Sequence, residues 1–213
     1  MKLLFQPILL LLTMLLFITG CRNKENKPVE TNNVSKDSSR VISPRVKENP
    51  YKIIDISPMD MSYFPDDYPI QKMSKKTNAL PKARVIYSRP HLQGRKLFQN
   101  LLKYGEQWRL GANESTELDL YTDAFIQDKK IKAGRYVLYC IPEADNWNII
   151  LNSNIDSWGL HPDSTKDIAH FIIPVKQTTS QLEYYTMIFE MTNNGADLLM
   201  AWDNLEARLP IRF

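Results

Sequence analysis

The sequence is short of the residues on which much small-molecule chemistry depends. Among 213 residues there are seven glycines, three histidines and two cysteines. Seven glycines, none gathered into a turn between a strand and a helix, exclude a phosphate-cradling loop. His91, His161 and His170 are scattered, with no His-x-His. His161 with Asp163 is the one loop pairing, and without a second close ligand it does not make a zinc site. Ser88 and Ser115 lack the Gly-x-Ser-x-Gly elbow of an esterase-like nucleophile. No basic run with interleaved aromatics is present, which argues against a nucleic-acid partner. The expectation is therefore no metal and no cofactor.

What is present is an ordinary globular composition, 43% hydrophobic and 24% charged. The net charge of +3 is unevenly spread. Residues 50–213 carry 19 basic and 20 acidic side chains, whereas 22–49 carry 7 basic and 4 acidic. The basic character belongs to the N-terminal stretch.

Met1-Lys2 is a short positive start, and Leu3 to Ile18 is mostly apolar. The run ends in Ile18-Thr19-Gly20-Cys21, followed by Arg22. A short apolar run ending in small residues reads as a cleaved signal rather than a spanning helix. The tetrapeptide resembles the bacterial lipobox, which implies that the Cys21 thiol is acylated and becomes the new N-terminus. Several acyl chains anchor stably where one is marginal. Arg22 in place of an aspartate implies the outer membrane, by the sorting rule of double-membrane bacteria. Residues 22–49, rich in Lys, Asn, Glu, Ser and Pro, cannot bury enough apolar surface to offset their ordering entropy. The expected layout is a signal peptide at 1–20, a lipidated Cys and flexible tether at 21–49, and a single domain at 50–213, facing the periplasm or the cell surface. With Cys21 acylated, Cys140 has no intrachain partner. Its place in Tyr136–Ile141, a strand-like run, predicts a buried, inert thiol.

From residue 82 onward short strand-like runs alternate with turn signals. They are Lys82–Ser88, Glu117–Tyr121, Arg135–Ile141, Trp147–Leu151, Ile168–Val175, Leu182–Met191, Asp197–Trp202 and Ala207–Arg212. In Leu182–Met191, Tyr185, Met187, Phe189 and Met191 face one way and Thr186 and Glu190 the other. Asn193-Asn194-Gly195 predicts a hairpin with a type I′ Asn-Gly turn. Lys96–Tyr104, ending at Gly105, is the one expected helix. Residues 51–80 are expected to be an extended lead-in packing through Tyr63, Phe64 and Tyr68. About eight strands, one short helix and no βαβ spacing predict an all-β fold, an antiparallel sandwich of jelly-roll kind.

Two longer stretches carry a resemblance. They are Tyr87-Ser88-Arg89-Pro90-His91-Leu92-Gln93-Gly94-Arg95-Lys96-Leu97-Phe98 and Trp108-Arg109-Leu110-Gly111-Ala112-Asn113-Glu114-Ser115-Thr116. Ala133–Tyr136, Ile141-Pro142, Trp147 with Asn152, and Trp158-Gly159 follow in order. In these the chain resembles the family catalogued as domain of unknown function 2911, over roughly residues 51–213. The resemblance implies a β-rich extracytoplasmic domain and no particular activity. Leu92-Gln93, where a basic residue before Gly is commoner, and Cys140, in a strand often ending in aromatics, are mild departures.

The same stretches hold the candidate site: Arg89, Arg95, Trp108, Arg109, Asn113 and Glu114. Guanidinium groups offer forked donors to carboxylate or phosphate. Asn113 and Glu114 can bond hydroxyls, and Trp108 can stack on a ring. The competing reading is structural, with these arginines pairing to Glu114, Glu117 and backbone carbonyls to pin long loops. At the level of function, the expectation is a non-enzymatic binding or interaction module tethered to the membrane by its lipid. A glycan, an anion or an envelope protein would be its partner. The alternative is an enzyme acting on carbohydrate or another envelope polymer around Arg89–Glu114, with catalytic residues that the sequence leaves open.

Overall fold

The computed structural model describes residues 57–213. The leader at 1–20, Cys21, the 22–49 segment and the start of the lead-in lie outside the described residues. The nine strands among the described residues are β1 Met59–Phe64, β2 Ala83–Ser88, β3 Thr116–Leu120, β4 Ala124–Ile126, β5 Lys129–Ile131, β6 Gly134–Pro142, β7 Asn146–Asn152, β8 Asp167–Thr192 and β9 Gly195–Arg212. They form one antiparallel sheet in the order β1-β2-β3-β6-β7-β8-β9-β4-β5. Helical structure among the described residues is α1, Tyr68–Met73, and single turns at Leu97–Leu101 and Ser164–Lys166. The all-β antiparallel class is what the sequence led one to expect.

The sheet folds over on itself, and this creates the core. β8 shifts register between Gln177 and Thr186, and such irregularities bend a strand. Its second half then crosses the first strands of the sheet. Tyr87 of β2 meets Tyr185 edge to face at 5.8 Å, and its hydroxyl accepts from the Met187 N–H at 2.9 Å. Phe64 of β1 lies 6.3 Å from Phe189, and Ser62 Oγ accepts from the Phe189 N–H. Val85, Leu118, Leu138, Ile149, Phe171, Met200 and Leu209 fill the space between the layers.

The alternation in β8 places Tyr185, Met187 and Phe189 inside, as its pattern requires. Met191 departs from it, at 69% exposure, because the hairpin has run past the core by then. Two expected pairs of strands fuse, into β8 and β9. The linking residues Lys176–Gln181 are polar but contain no Gly or Pro, so the chain stays extended through them. The hairpin forms with Thr192 opposite Gly195, so that Asn193-Asn194 is the connection and neither asparagine has a positive φ. Gly195 is required for a different reason: a Cβ there would sit 2.0 Å from the Ile211 carbonyl oxygen. The expected Lys96–Tyr104 helix shrinks to one wide turn closed by Leu102 N–H on the Leu97 carbonyl, 2.8 Å. Burial of Leu97 fixes this turn, and no continuous apolar face extends it. β1 and α1 replace the expected extended lead-in, and the β4–β5 hairpin was not anticipated.

Candidate functional site

β2 ends at Ser88, and the chain crosses the end of the folded sheet before re-entering at Thr116. Arg89 opens this loop as a clamp. Its Nε donates to the Tyr185 carbonyl at 3.1 Å and its Nη2 to Thr186 Oγ1 at 3.0 Å. Its Nη1 lies 3.4 Å from Asp60 Oδ2, and the guanidinium stands over the Tyr184 ring. One side chain thus joins β1, β2 and β8. His91 stacks on Tyr184 at 5.1 Å, and Leu92 is buried. Arg95 closes the turn through Gln93-Gly94, its Nε donating to the Leu92 carbonyl and its Nη2 to the His91 carbonyl, both at 2.9 Å.

The return limb is held by Trp108. Its backbone exchanges two hydrogen bonds of 2.7 Å with Cys140, and its indole N–H donates to the Gly111 carbonyl at 3.2 Å. The ring meets Trp147 and Tyr185 edge to face and stacks against Trp202 at 5.9 Å. Leu110 follows with φ 54, a left-handed conformation that costs a branched side chain about 1–2 kcal/mol. The strain is held by full burial of the leucine and by Thr116 Oγ1, which donates to the Leu110 carbonyl at 2.8 Å. Leu110 points into the core, so its neighbours Arg109 and Gly111 line a surface cavity. Gly111 is closely placed: a Cβ there would lie 3.0 Å from the Ser88 carbonyl oxygen and 3.2 Å from Thr116 Oγ1, tight enough that these neighbours would have to give way. Sparsely populated backbone conformations of this kind gather at functional sites.

The cavity has a volume of about 430 Å³. Arg95 and Arg109 line it, with Trp108 and Trp202 among its apolar surfaces. Lys103 and Glu106 also face it, and they pair with each other at 3.1 Å. The other charged side chains of the lining are Arg95 and Arg109. Of the six side chains singled out in the sequence, Arg95, Trp108 and Arg109 come together here. Arg89 does not: it is a clamp. Asn113, at φ 58, donates to the Ser57 carbonyl at 3.4 Å, and Glu114 is exposed beyond the cavity. The expected pairing to backbone carbonyls is found for Arg89 and Arg95, and for Arg89 the carboxylate is that of Asp60 rather than Glu114 or Glu117. Trp202, Lys103 and Glu106 escaped the sequence reading. Trp202 arrives from β9, far along the chain, and carries no local signal.

Other polar groups lie elsewhere. On the outer face Arg84 pairs with Asp119, and Arg135 with Asp119 and Glu117; burial pushes the Glu117 carboxyl up, against the pull of Arg135. Tyr139 donates to Asp167, which also lies 3.3 Å from His170 Nε2. Burial raises the Cys140 thiol well above its usual range, and the side chain is enclosed in the core. Among the described residues no group of three His, Cys, Asp or Glu could hold a metal ion. No helix among them is long and apolar enough to cross a membrane.

Comparison with family profiles matches residues 69–211 to the family described as "Protein of unknown function (DUF2911)". The chain belongs to that family. No curated protein and no solved structure matches it. The DUF2911 stretch takes in both limbs of the cavity and the whole sheet except β1, which precedes it.

Proposed function

We propose that this DUF2911 protein is a binding module of the bacterial envelope, lipid-anchored through Cys21, tethered to the outer membrane, and built to hold a small anion. The ligand class is a carboxylate or phosphate ester with an apolar or ring-shaped body. The observation that carries this is the pairing of Arg95 and Arg109 with the indoles of Trp108 and Trp202 around one cavity. Guanidinium forks suit planar or tetrahedral oxyanions, and the nearly enclosed indoles give the cavity a rigid apolar backing. The enzyme reading has less support. Glycoside hydrolysis uses two carboxylates about 5–9.5 Å apart across a cleft. Among the described residues Glu106 is the one carboxylate facing the cavity, and Lys103 already holds it.

The test is a fluorescence titration of the purified full-length protein with inorganic phosphate, benzoate, and a sugar phosphate. Trp108 and Trp202 report directly on the cavity. A saturable change with at least one probe, lost in Arg109→Ala and weakened in Arg95→Ala, is the expected result. No response to any of the probes overturns the reading. The anchor is tested by fractionating cells that express Cys21→Ser, which should leave the membrane fraction; a variant that stays with the membranes refutes lipidation.

A further inference from the structure

The segment between Lys96 and Glu106 has a cavity on each side. Leu101, Leu102 and Glu106 face the one already described, whereas Phe98, Gln99 and Tyr104 face a separate groove of about 540 Å³. The floor of that groove is the irregular stretch of β8 and β9. Between the pairs Gln177–Leu205 and Leu182–Asp203, β8 inserts Thr178 to Gln181 opposite Asn204 alone. Bulges of this kind re-aim side chains and often sit beside binding sites. Thr178 Oγ1 donates to the Ser180 carbonyl at 2.9 Å, closing the bulge on itself. Gln181 Nε2 donates to Asp203 Oδ1 at 2.8 Å, and Asp203 holds φ 55. The amide and the carboxylate are thereby fixed with acceptor oxygens to spare.

The wall is aromatic. Phe98 stacks on Tyr104 with ring centroids 4.0 Å apart and planes 14° apart, and Tyr104 remains 48% exposed. One ring thus holds the other rigid, with a flat apolar surface still open to solvent. Lys96 and Asp203 are the charged residues of the lining, one of each sign, and the remaining polar groups are neutral amides and hydroxyls. An anion would find no guanidinium here among the described residues, and a single-stranded nucleic acid needs a basic track along its backbone. Amides that both donate and accept, one fixed carboxylate and an exposed ring match a ligand of many hydroxyls and an apolar C–H face.

We propose that this groove binds a neutral oligosaccharide, with one sugar ring on Tyr104 and hydroxyls on Gln99, Gln181 and Asp203. It is a site distinct from the anion cavity and does not depend on it.

Calorimetric titration of the full-length protein in a detergent without sugar headgroups tests this, with maltohexaose, cellohexaose and chitohexaose as probes. At least one should bind in the millimolar range or tighter. Tyr104→Ala should weaken it about tenfold or more, while Tyr104→Phe, which keeps the ring, and Arg109→Ala, in the other cavity, should leave it unchanged. If Tyr104→Ala does not fold, the exposed pair Gln99→Ala with Gln181→Ala carries the test and should lower affinity. The proposal is overturned if none of the three binds at millimolar concentration. It is overturned equally if binding survives Tyr104→Ala or the glutamine pair, or is lost in Arg109→Ala. The last result would move the saccharide to the anion cavity, and a phosphate response in the fluorescence titration stands or falls apart from all of these.

Discussion

Arg89 and Arg109 belong to the same loop between β2 and β3, and the fold uses them differently. Arg89 finds a backbone carbonyl, a hydroxyl and a carboxylate within reach, and its fork is used up on β1 and β8. Arg109 is set beside a strained, buried leucine and faces a cavity with Arg95. Residue type alone does not separate a structural arginine from a binding one. What the fold brings to Arg89 is acceptors on β8 and β1, and what it brings to Arg109 is the wall of a cavity.

The change that breaks both regions at once is Trp108→Ala. The indole is a core residue and a cavity wall together. Its loss should cost about 3–5 kcal/mol by urea unfolding, and should abolish the anion response. Arg89→Ala comes next. It removes the side-chain donor of the Tyr185 carbonyl, within the buried part of β8, and should cost about 2–3 kcal/mol. Anion binding at a given degree of folding should persist, since Arg89 does not line the cavity. A variant that keeps wild-type stability but loses binding would erase the distinction between the two arginines.

Tyr87→Phe tests the same clamp from β2, by leaving the Met187 N–H without its acceptor. A cost of about 1–2 kcal/mol is expected at pH 7. Burial pushes the Tyr87 hydroxyl up to about 12 from its ordinary 10.0. A group whose folded pKa is raised stabilises fully below its unfolded value and loses that contribution as pH rises through the folded one. The gap between wild type and Tyr87→Phe should therefore narrow between pH 10 and 12, which unfolding curves at pH 7 and pH 11 would show. The smallest effect on stability belongs to Arg109→Ala, about 1 kcal/mol, measured in the same urea series. Its signature is loss of the anion response with the fold intact.

Local pattern was legible where local physics decides it. The inward alternation of Tyr185, Met187 and Phe189 follows from a strand with one wet face, and the loop bearing Arg95, Trp108 and Arg109 stood out by its density of unusual residues. Three things were not legible, each for a different reason. The fusion of strands into β8 was hidden because a polar stretch without Gly or Pro resembles a turn yet stays extended. The β4–β5 strands are three residues each, too short to show a period. The partnership of Trp202 with Trp108, and of Asp203 with Gln181, depends on how β8 and β9 bend, which no window of neighbouring residues encodes.

The long β8–β9 hairpin also sets an order of assembly. Its strands of 26 and 18 residues are joined through Asn193-Asn194, so pairing can zip outward from one tight turn without closing a long loop. Loop-closure entropy and contact order favour such local pairing as an early event. The contact of Phe64 with Phe213 sits at the opposite extreme and has to wait for both arms of the sheet. β1 and β2, although they come early in the chain, pack on Tyr185, Met187 and Phe189. During synthesis from the N-terminus their apolar faces emerge well before those partners do. The first third of the domain therefore emerges without its core, and an aggregation risk or a chaperone's hold is concentrated there rather than in the hairpin.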